Sequence, residues 1–193
     1  MVLITDGYRE QQERLHAKGN YGVTAKKYGA IVSALIDKNE IDHLLDYGCG
    51  SQLSLRETLR PQRPFKYQAY DPGVPEYAGA PEPADMTVCC DVLEHIEPEF
   101  LDDVLDHLME LTDLILFCTI NTGPAGKTLE DGRNAHLIQQ PMEWWLPKLW
   151  ERFAIQTYQI TGQNEFMVIA NNLNLEIEMG KRSIITSAVI KDA

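Results

Sequence analysis

Three short segments carry the residue types expected of a nucleoside-binding site. Gly48 and Gly50 follow one apolar run, Asp71 follows a second and Asp91 a third. Glycine lets a bulky ligand approach the backbone closely, and N–H groups at the start of a helix can receive a carboxylate. An acid at the end of the second run can accept both hydroxyls of a ribose, and Asp71 lies 21 residues after Gly50, close to the spacing for that role. The pattern indicates a nucleotide-like cofactor.

Two other nucleotide motifs fit less well. A dinucleotide-binding turn needs glycine at the position of Leu53. The run from Gly126 to Thr128 is similar to the end of a phosphate loop, but Asn121 stands where that loop needs glycine. The sequence therefore disfavours an NAD site and a Walker-type loop.

The elements that must position these residues alternate between strands and helices. Short apolar runs that end at turn signals predict buried strands, and apolar residues at helical spacing predict amphipathic helices. Residues 6–18, with mixed charge and few apolar positions, predict an exposed helix. The strands are expected over 41–47, 65–70, 85–90, 113–120, 154–160 and 165–170, and the other helices over 24–37, 53–59, 98–111 and 141–153.

This order of elements predicts an α/β fold. The sheet is expected to be open, mostly parallel, covered by helices on both faces, and closed by an antiparallel hairpin at the C-terminal end. Ligands of such sheets bind beyond the carboxyl ends of the strands. The glycines, Asp71 and Asp91 all follow strands, so we expect them at one edge of the sheet.

At these positions the sequence resembles the class I S-adenosylmethionine-dependent methyltransferases, over residues 20–170. The glycine motif of that family matches residues 43–50, its ribose-binding acid matches Asp71, and its D-V-L-E-H signature matches Asp91 to His95. The resemblance implies a Rossmann-like, doubly wound sheet. Because the stretch between Asp71 and Asp85 is too short for the family's usual helix and third strand, we expect that strand to be reduced or absent.

The resemblance also implies S-adenosylmethionine as the cofactor. Gly48 and Gly50 would line its methionine part, Asp71 its ribose and Pro72 its adenine edge, with Cys90 to Val92 near the sulfonium. Either the turn at Tyr21 or a lysine such as Lys27 would close over its carboxylate. The full set expected to bind the cofactor is Tyr21, Lys27, Asp46, Gly48, Cys49, Gly50, Asp71, Pro72, Cys90, Asp91 and Val92. The chain departs from the family at Gln52, where a third glycine is usual.

Methyl transfer from a sulfonium is an in-line displacement, for which an enzyme mainly aligns donor and acceptor. His95 and His136 are the candidate catalytic residues because imidazole can accept a proton near neutral pH. Each has the alternative role of ordering a loop. The four cysteines form no C-x-x-C pair and no histidine lies at zinc-ligand spacing, so we expect neither a metal nor a disulfide.

Composition bounds the organisation and the partners. A chain of 193 residues with 44% apolar residues is expected to form one domain over residues 1–193. Helices over 1–40 would form a lid, 41–170 the Rossmann-like core and 171–193 an extension. The net charge of −12 disfavours stand-alone binding to duplex DNA. No leader and no membrane-spanning run is recognisable, so a cytoplasmic location is expected.

We therefore expect methyl transfer to a small-molecule or nucleotide-like acceptor, recognised by the long polar loop over residues 121–140. Residues 131–138 resemble a run found in compact methyltransferase-domain proteins of phages and prophages, which would place the protein in a host cytoplasm. Two alternatives stay open at this point. One is a degenerate or regulatory module that binds the cofactor without transferring methyl groups, and the other is a phage enzyme that modifies nucleic acid.

Overall fold

The computed structural model describes residues 2–19 and 22–173. Tyr21 and the C-terminal extension from residue 174 onwards therefore lie outside the described residues. The helices are α1 (Asp6–Ala17), α2 (Gly29–Lys38), α3 (Leu101–Leu111) and α4 (Met142–Trp150). The strands are β1 (His43–Tyr47), β2 (Lys66–Tyr70), β3 (Ala84–Cys90), β4 (Thr112–Asn121), β5 (Phe153–Gly162) and β6 (Glu165–Asn172).

The six strands form one mixed sheet in the order β2-β1-β3-β4-β6-β5. β2, β1, β3 and β4 are parallel, β6 runs antiparallel to β4, and β5 pairs with β6 as a hairpin. The expected sheet is confirmed. The strand that the methyltransferase family usually has between β2 and β3 is absent from the described residues. Between β2 and β3 the described chain holds only a short 3-10 turn, Pro75–Tyr77, because its prolines prevent a longer helix. None of the described helices is long and apolar enough to cross a bilayer.

Alternating side chains of the strands build a core on each face of the sheet. Leu45 and Leu116 point to the face covered by α3 and α4, whereas Leu44 and Phe117 point to the face covered by α2. Neighbouring residues of a strand face opposite sides, so a parallel strand that is covered twice must be apolar throughout. This explains why the central strands are mostly apolar, with Asp46 and Thr87 as buried polar exceptions.

The expectation that the first helix is exposed is wrong. In α1, Tyr8 and Leu15 are buried and pack against Leu129 and Ala135 of the loop between β4 and α4. Tyr8 and Leu15 are seven residues apart, which places them on one face two turns from each other. The sequence analysis missed this buried face because half of its residues are polar. Thr5 caps the helix by accepting a hydrogen bond from the N–H of Tyr8.

The α-helix expected over residues 53–59 is also wrong. The segment is a turn followed by one short 3-10 helix, Arg56–Thr58. Leu53 has a φ of 48°, in the left-handed region, which interrupts a right-handed helix. The backbone of Gly29 at the start of α2 lies directly against Thr58, so the short segment is fitted to α2 rather than to its own helical propensity.

This close contact makes Gly29 a sensitive position. A Cβ added at Gly29 would lie 2.3 Å from Oγ1 of Thr58, so we expect Gly29→Ala to lower the free energy of unfolding by about 1–3 kcal/mol through overpacking. The matched control is Gly7→Ala in α1, where a Cβ meets nothing within 4 Å and which should be neutral or stabilising by up to about 1 kcal/mol. Urea unfolding of the three proteins measures both effects. Equal stability of Gly29→Ala and the parent chain would contradict this packing.

Candidate active site

A cavity of about 870 Å³, counting the part open to solvent, lies at the carboxyl ends of β1, β2 and β3. The strand order reverses beside β1, since β2 lies on one side of it and β3 on the other. Such a switch point leaves a crevice between the loops that follow the strands. The predicted site residues that line the cavity are Asp46, Gly48, Cys49, Asp71, Pro72, Cys90, Asp91, Val92 and His95.

The glycine turn after β1 is shaped by a neighbouring loop. Gly48 and Gly50 have φ values of 78° and 62°, which side chains rarely adopt. A Cβ at Gly48 would lie 2.3 Å from a methyl carbon of Val92, which comes from the loop after β3. Glycine at position 48 is therefore required by backbone conformation and by the approach of Val92. The contact between Gly48 and Val92 brings the loops after β1 and β3 together beside the cavity.

Asp71 connects two turns through backbone hydrogen bonds. Its carboxylate accepts from the N–H of Gly50 at 3.0 Å and from the N–H of Gly73 at 2.9 Å, and the residue is only 8% exposed. Gly50, an expected cofactor residue, is not among the residues that line the cavity and is connected to it only through this bond. Nε2 of His16 in α1 lies 3.7 Å from the same carboxylate. Burial lowers the pKa of His16, and the charge of Asp71 opposes that shift.

Asp46, the fourth residue of β1, is buried beneath the cavity. The hydroxyl of Tyr67 in β2 donates a hydrogen bond to its carboxylate. Burial raises the pKa of Asp46 to about 7, a shift that the Tyr67 hydrogen bond reduces and the charge of Asp71 increases. The side chain therefore exchanges a proton near neutral pH, at the base of the pocket.

The two predicted catalytic histidines lie side by side, His95 on the loop after β3 and His136 on the loop between β4 and α4. Nδ1 of His95 lies 2.7 Å from the carbonyl oxygen of Ala135, and Nδ1 of His136 lies 2.7 Å from that of Gly123. The two rings meet edge to face, with centroids 4.6 Å apart. Burial lowers the pKa of His95 to about 4, with Asp91 acting in the opposite direction. His95 borders the cavity, whereas the buried His136 lies behind it.

Asp91 occupies a strained position in that loop. Its φ is 60°, and its N–H donates to the carbonyl oxygen of Thr119 in β4 at 3.1 Å. The hydroxyl of Thr24 donates to its carboxylate at 3.0 Å. Next to it, Glu94 is completely buried, and burial together with the charge of Asp91 raises its pKa. The loop thus presents one partly buried acid to the cavity and keeps a second behind it.

Some expected cofactor residues are not placed at the cavity. Lys27 does not line it and forms an ion pair with Glu165 at 3.1 Å. Tyr21 lies outside the described residues. The side chain of Gln52, which replaces the family's third glycine, turns away from the cavity and donates its amide to the carbonyl oxygen of Gly19. The substitution therefore does not fill the pocket.

One wall of the cavity was missed from the sequence. Tyr8, Gln12 and His16 of α1 line it, together with Leu3 and Ile4 of the preceding segment. The signal was present, since residues 8, 12 and 16 are spaced by one helical turn and share a face. Helix α1 is thus a cover over the site, with its polar side chains facing the ligand space.

The loop between β4 and α4 uses several of its polar residues for its own structure. The side chain of Asn134 exchanges two hydrogen bonds with the backbone of Ala125, both at 2.9 Å. Arg133 forms an ion pair with Asp131 at 2.7 Å. These side chains therefore order the loop itself.

The raised pKa of Asp46 predicts a pH-dependent effect on stability. A carboxyl whose pKa is higher in the folded state destabilises that state as pH rises from about 4 to 7. We expect Asp46→Asn, which cannot ionise, to unfold with about 2–4 kcal/mol more free energy than the parent at pH 8, and the gap to vanish below pH 4. Asp103→Asn on the exposed surface of α3 is the control and should show no such gap. Urea unfolding at several pH values measures it, and a gap independent of pH would contradict the buried carboxyl.

Comparison with known proteins rests on structure alone, because no protein-family model and no curated protein matches the sequence. A complex of DhpI with SAH superposes with a TM-score of 0.61 at 14% identity, over 88% of this chain and 98% of DhpI. A Burkholderia thailandensis 1,6-didemethyltoxoflavin-N1-methyltransferase, with bound 1,6-didemethyltoxoflavin and S-adenosylhomocysteine, superposes with a TM-score of 0.60 at 13% identity, over 89% and 92%. TnmH gives 0.55 at 16% identity over 83% of this chain, which spans only 57% of TnmH. The chain therefore has the Rossmann-like α/β fold of methyltransferases, with a parallel core and an antiparallel C-terminal pair.

Proposed function

We propose that the chain is an S-adenosylmethionine-dependent methyltransferase acting on a small-molecule or nucleotide-like acceptor. The observation that carries the proposal is the meeting of the glycine turn, Asp71 and the Asp91 loop around one open cavity at the carboxyl ends of three parallel strands. The similar fold of DhpI holds SAH, and the toxoflavin methyltransferase holds both a small-molecule ligand and S-adenosylhomocysteine. When bound, the cofactor supplies an electrophilic methyl group.

The residues around the cavity fit such a group. Each oxygen of Asp71 accepts one backbone N–H and keeps a second lone pair, so the carboxylate can also accept ribose hydroxyls. Asp46 and the carboxylate of Asp91 supply acceptors for the amino group of the methionine part. Apolar side chains such as Val92 and Ile96 offer surface for the apolar edge of the ligand. The site thus has acceptors for a cationic, hydroxyl-rich nucleoside.

The chain contributes alignment and exclusion of water. Helix α1 covers the cavity with Tyr8, Gln12 and His16, and the hydroxyl of Tyr8 donates to the carbonyl oxygen of His95 at 2.7 Å. This bond joins the cover to the loop after β3. Methyl transfer gains most from holding the reacting atoms in line in a dry site, and a fixed cover serves that purpose. Of the two predicted catalytic histidines, only His95 borders this space.

The alternative of a binding module without transferase activity was raised by Gln52. Its side chain bonds to Gly19 and leaves the cavity open, so this departure gives no reason to reject methyl transfer. The alternative of a phage enzyme that modifies nucleic acid remains a proposal resting on residues 131–138. The net charge of −12 favours a single nucleotide over a duplex as the acceptor in that case.

Calorimetry with S-adenosylhomocysteine tests cofactor binding. We expect saturable binding, weakened about 5- to 150-fold by Asp71→Ala, the equivalent of about 1–3 kcal/mol for a lost charge-assisted hydrogen bond. Asp103→Ala in α3 is the matched control and should bind like the parent chain. Because Asp71 also holds two backbone N–H groups, unfolding of the variant is measured alongside. No heat at millimolar ligand, or unchanged affinity in Asp71→Ala, would contradict the proposed ribose site.

Transfer of a labelled methyl group tests the reaction itself. Incubation of the protein with methyl-labelled cofactor and a cell extract should place label in the small-molecule fraction, including nucleotides. Label confined to duplex nucleic acid would support the phage-enzyme alternative instead. Binding of the cofactor with no label transferred to any fraction would support the regulatory module.

A further inference from the structure

Three potential metal ligands converge at the inner wall of the cavity. Asp91 and His95 belong to the loop after β3, and His136 to the loop between β4 and α4. One ligand atom of each lies within 4.8 Å of those of the other two. His136 is buried, and the other two are half-buried and border the cavity. Two separate loops therefore bring together a carboxylate and two imidazoles, the donors that divalent transition metals prefer.

Hydrogen bonds to backbone carbonyls fix the orientation and the protonated nitrogen of each ring. Nδ1 of His95 bonds to the carbonyl of Ala135 and Nδ1 of His136 to the carbonyl of Gly123, each at 2.7 Å. A carbonyl oxygen can only accept, so Nδ1 carries the proton in both rings, and Nε2 of the neutral ring keeps its lone pair. Histidines that bind metals are oriented by this kind of bond from the other ring nitrogen to a backbone carbonyl.

Two acids, Asp91 and Glu94, lie beside the histidines. Glu94 is 0% exposed; its Oε1 accepts from the N–H of Asn121 at 2.6 Å, and its Oε2 has no hydrogen-bond partner among the described residues. Asp91 is close enough to act on the charge of Glu94. Buried carboxylates are usually paired or coordinate a metal, so a divalent cation beside Glu94 and Asp91 would stabilise their ionised forms.

We propose that Asp91, His95 and His136 bind one divalent first-row transition-metal ion, such as Zn²⁺, Mn²⁺ or Co²⁺, at the inner edge of the cavity. Ligand atoms of such ions lie about 2.0–2.2 Å from the metal, so these three side chains close on an ion with movements of about 1 Å. This replaces the expectation from the sequence that no metal is bound. This set of ligands was not recognisable from the sequence because the third ligand lies on a separate loop.

Three protein ligands leave coordination positions for other groups. Since Asp91 and His95 border the cavity, an oxygen of the acceptor can occupy such a position, where the ion lowers the pKa of a hydroxyl. This role in catalysis rests on the proposed function, whereas metal binding itself does not. An acceptor hydroxyl bound there would lose its proton to solvent water, and its oxygen would take the methyl group as S-adenosylhomocysteine leaves.

The test uses chelator-treated protein without an affinity tag and without cofactor. Titration calorimetry should show one Zn²⁺ or Mn²⁺ bound per chain at micromolar or lower concentration, with weaker binding of Mg²⁺. Co²⁺ should give visible absorption bands that mark nitrogen ligands in place of water. No binding at millimolar Zn²⁺ and Mn²⁺, or a Co²⁺ spectrum equal to that of the hydrated ion, would overturn the proposal.

Substitution by asparagine separates the metal ligand from its supporting hydrogen bond. In His95→Asn and His136→Asn the amide N–H can replace Nδ1–H as the donor to the carbonyl, but the Nε2 lone pair is lost. Each should weaken Zn²⁺ binding at least tenfold with the circular dichroism spectrum unchanged. The matched control is His43→Asn at the start of β1, at the opposite end of the sheet, which should bind like the parent chain.

Parent-like binding by both folded asparagine variants would place the ion elsewhere and overturn the assignment. Should one variant fail to fold, the other and the Co²⁺ spectrum of the parent chain still decide the question. Loss of S-adenosylhomocysteine binding with retained metal binding would count against the proposed function alone. Binding of S-adenosylhomocysteine without binding of the metal would count against the metal site alone.

Discussion

The carboxylate of Asp71 is the contact on which the geometry of the cavity depends. It accepts hydrogen bonds from Gly50, in the turn after β1, and from Gly73, in its own turn after β2. Both are backbone N–H groups near the floor of the pocket, and leaving them unpaired there is costly. Gln12 of the covering helix packs against Gly73 so closely that a Cβ at that glycine would lie 2.7 Å from it. The Asp71 side chain therefore sets the spacing of the two turns, and helix α1 packs on the second of them.

The cover and the loops around the cavity form one connected unit. Helix α1 is held to the loop after β3 by the bond from Tyr8 to His95 and by Thr5, whose N–H and hydroxyl both donate to the buried Glu97. It is held to the loop between β4 and α4 by packing of Leu15 and by an ion pair between Arg14 and Glu130. The same two loops carry His95 and His136, so the covering helix is attached to both loops that hold the histidines.

Features of this protein that are set by local sequence were predictable, and those set by contacts between distant segments were not. The strands and the residues that end them, Asp71 and Asp91 among them, were predictable because burial on both faces forces apolar runs and turns must follow them. The segment at Leu53 was not predictable, because its conformation depends on Thr58 meeting Gly29. The spacing of residues on α1 was visible in the sequence, but not that this face packs against a loop far along the chain. The meeting of His95 with His136 has no local signal at all. Its only trace in the sequence is the presence of two histidines in segments that follow neighbouring strands.

Asp91 adds to the case for a functional site, whereas the glycine motif has a structural explanation of its own. Gly48 is explained without any ligand, since the methyl group of Val92 occupies the space that a Cβ would need. Asp91 adopts a φ of 60° although it has a side chain, and such conformations persist only where the surroundings hold them. Here the bonds to Thr119 and Thr24 do so, and they direct a carboxylate into the cavity beside His95. Glu40 and Leu53 also have a positive φ, so the conformation alone marks no site; at Asp91 it is combined with an acid that faces the cavity, as the proposed cationic ligand would need.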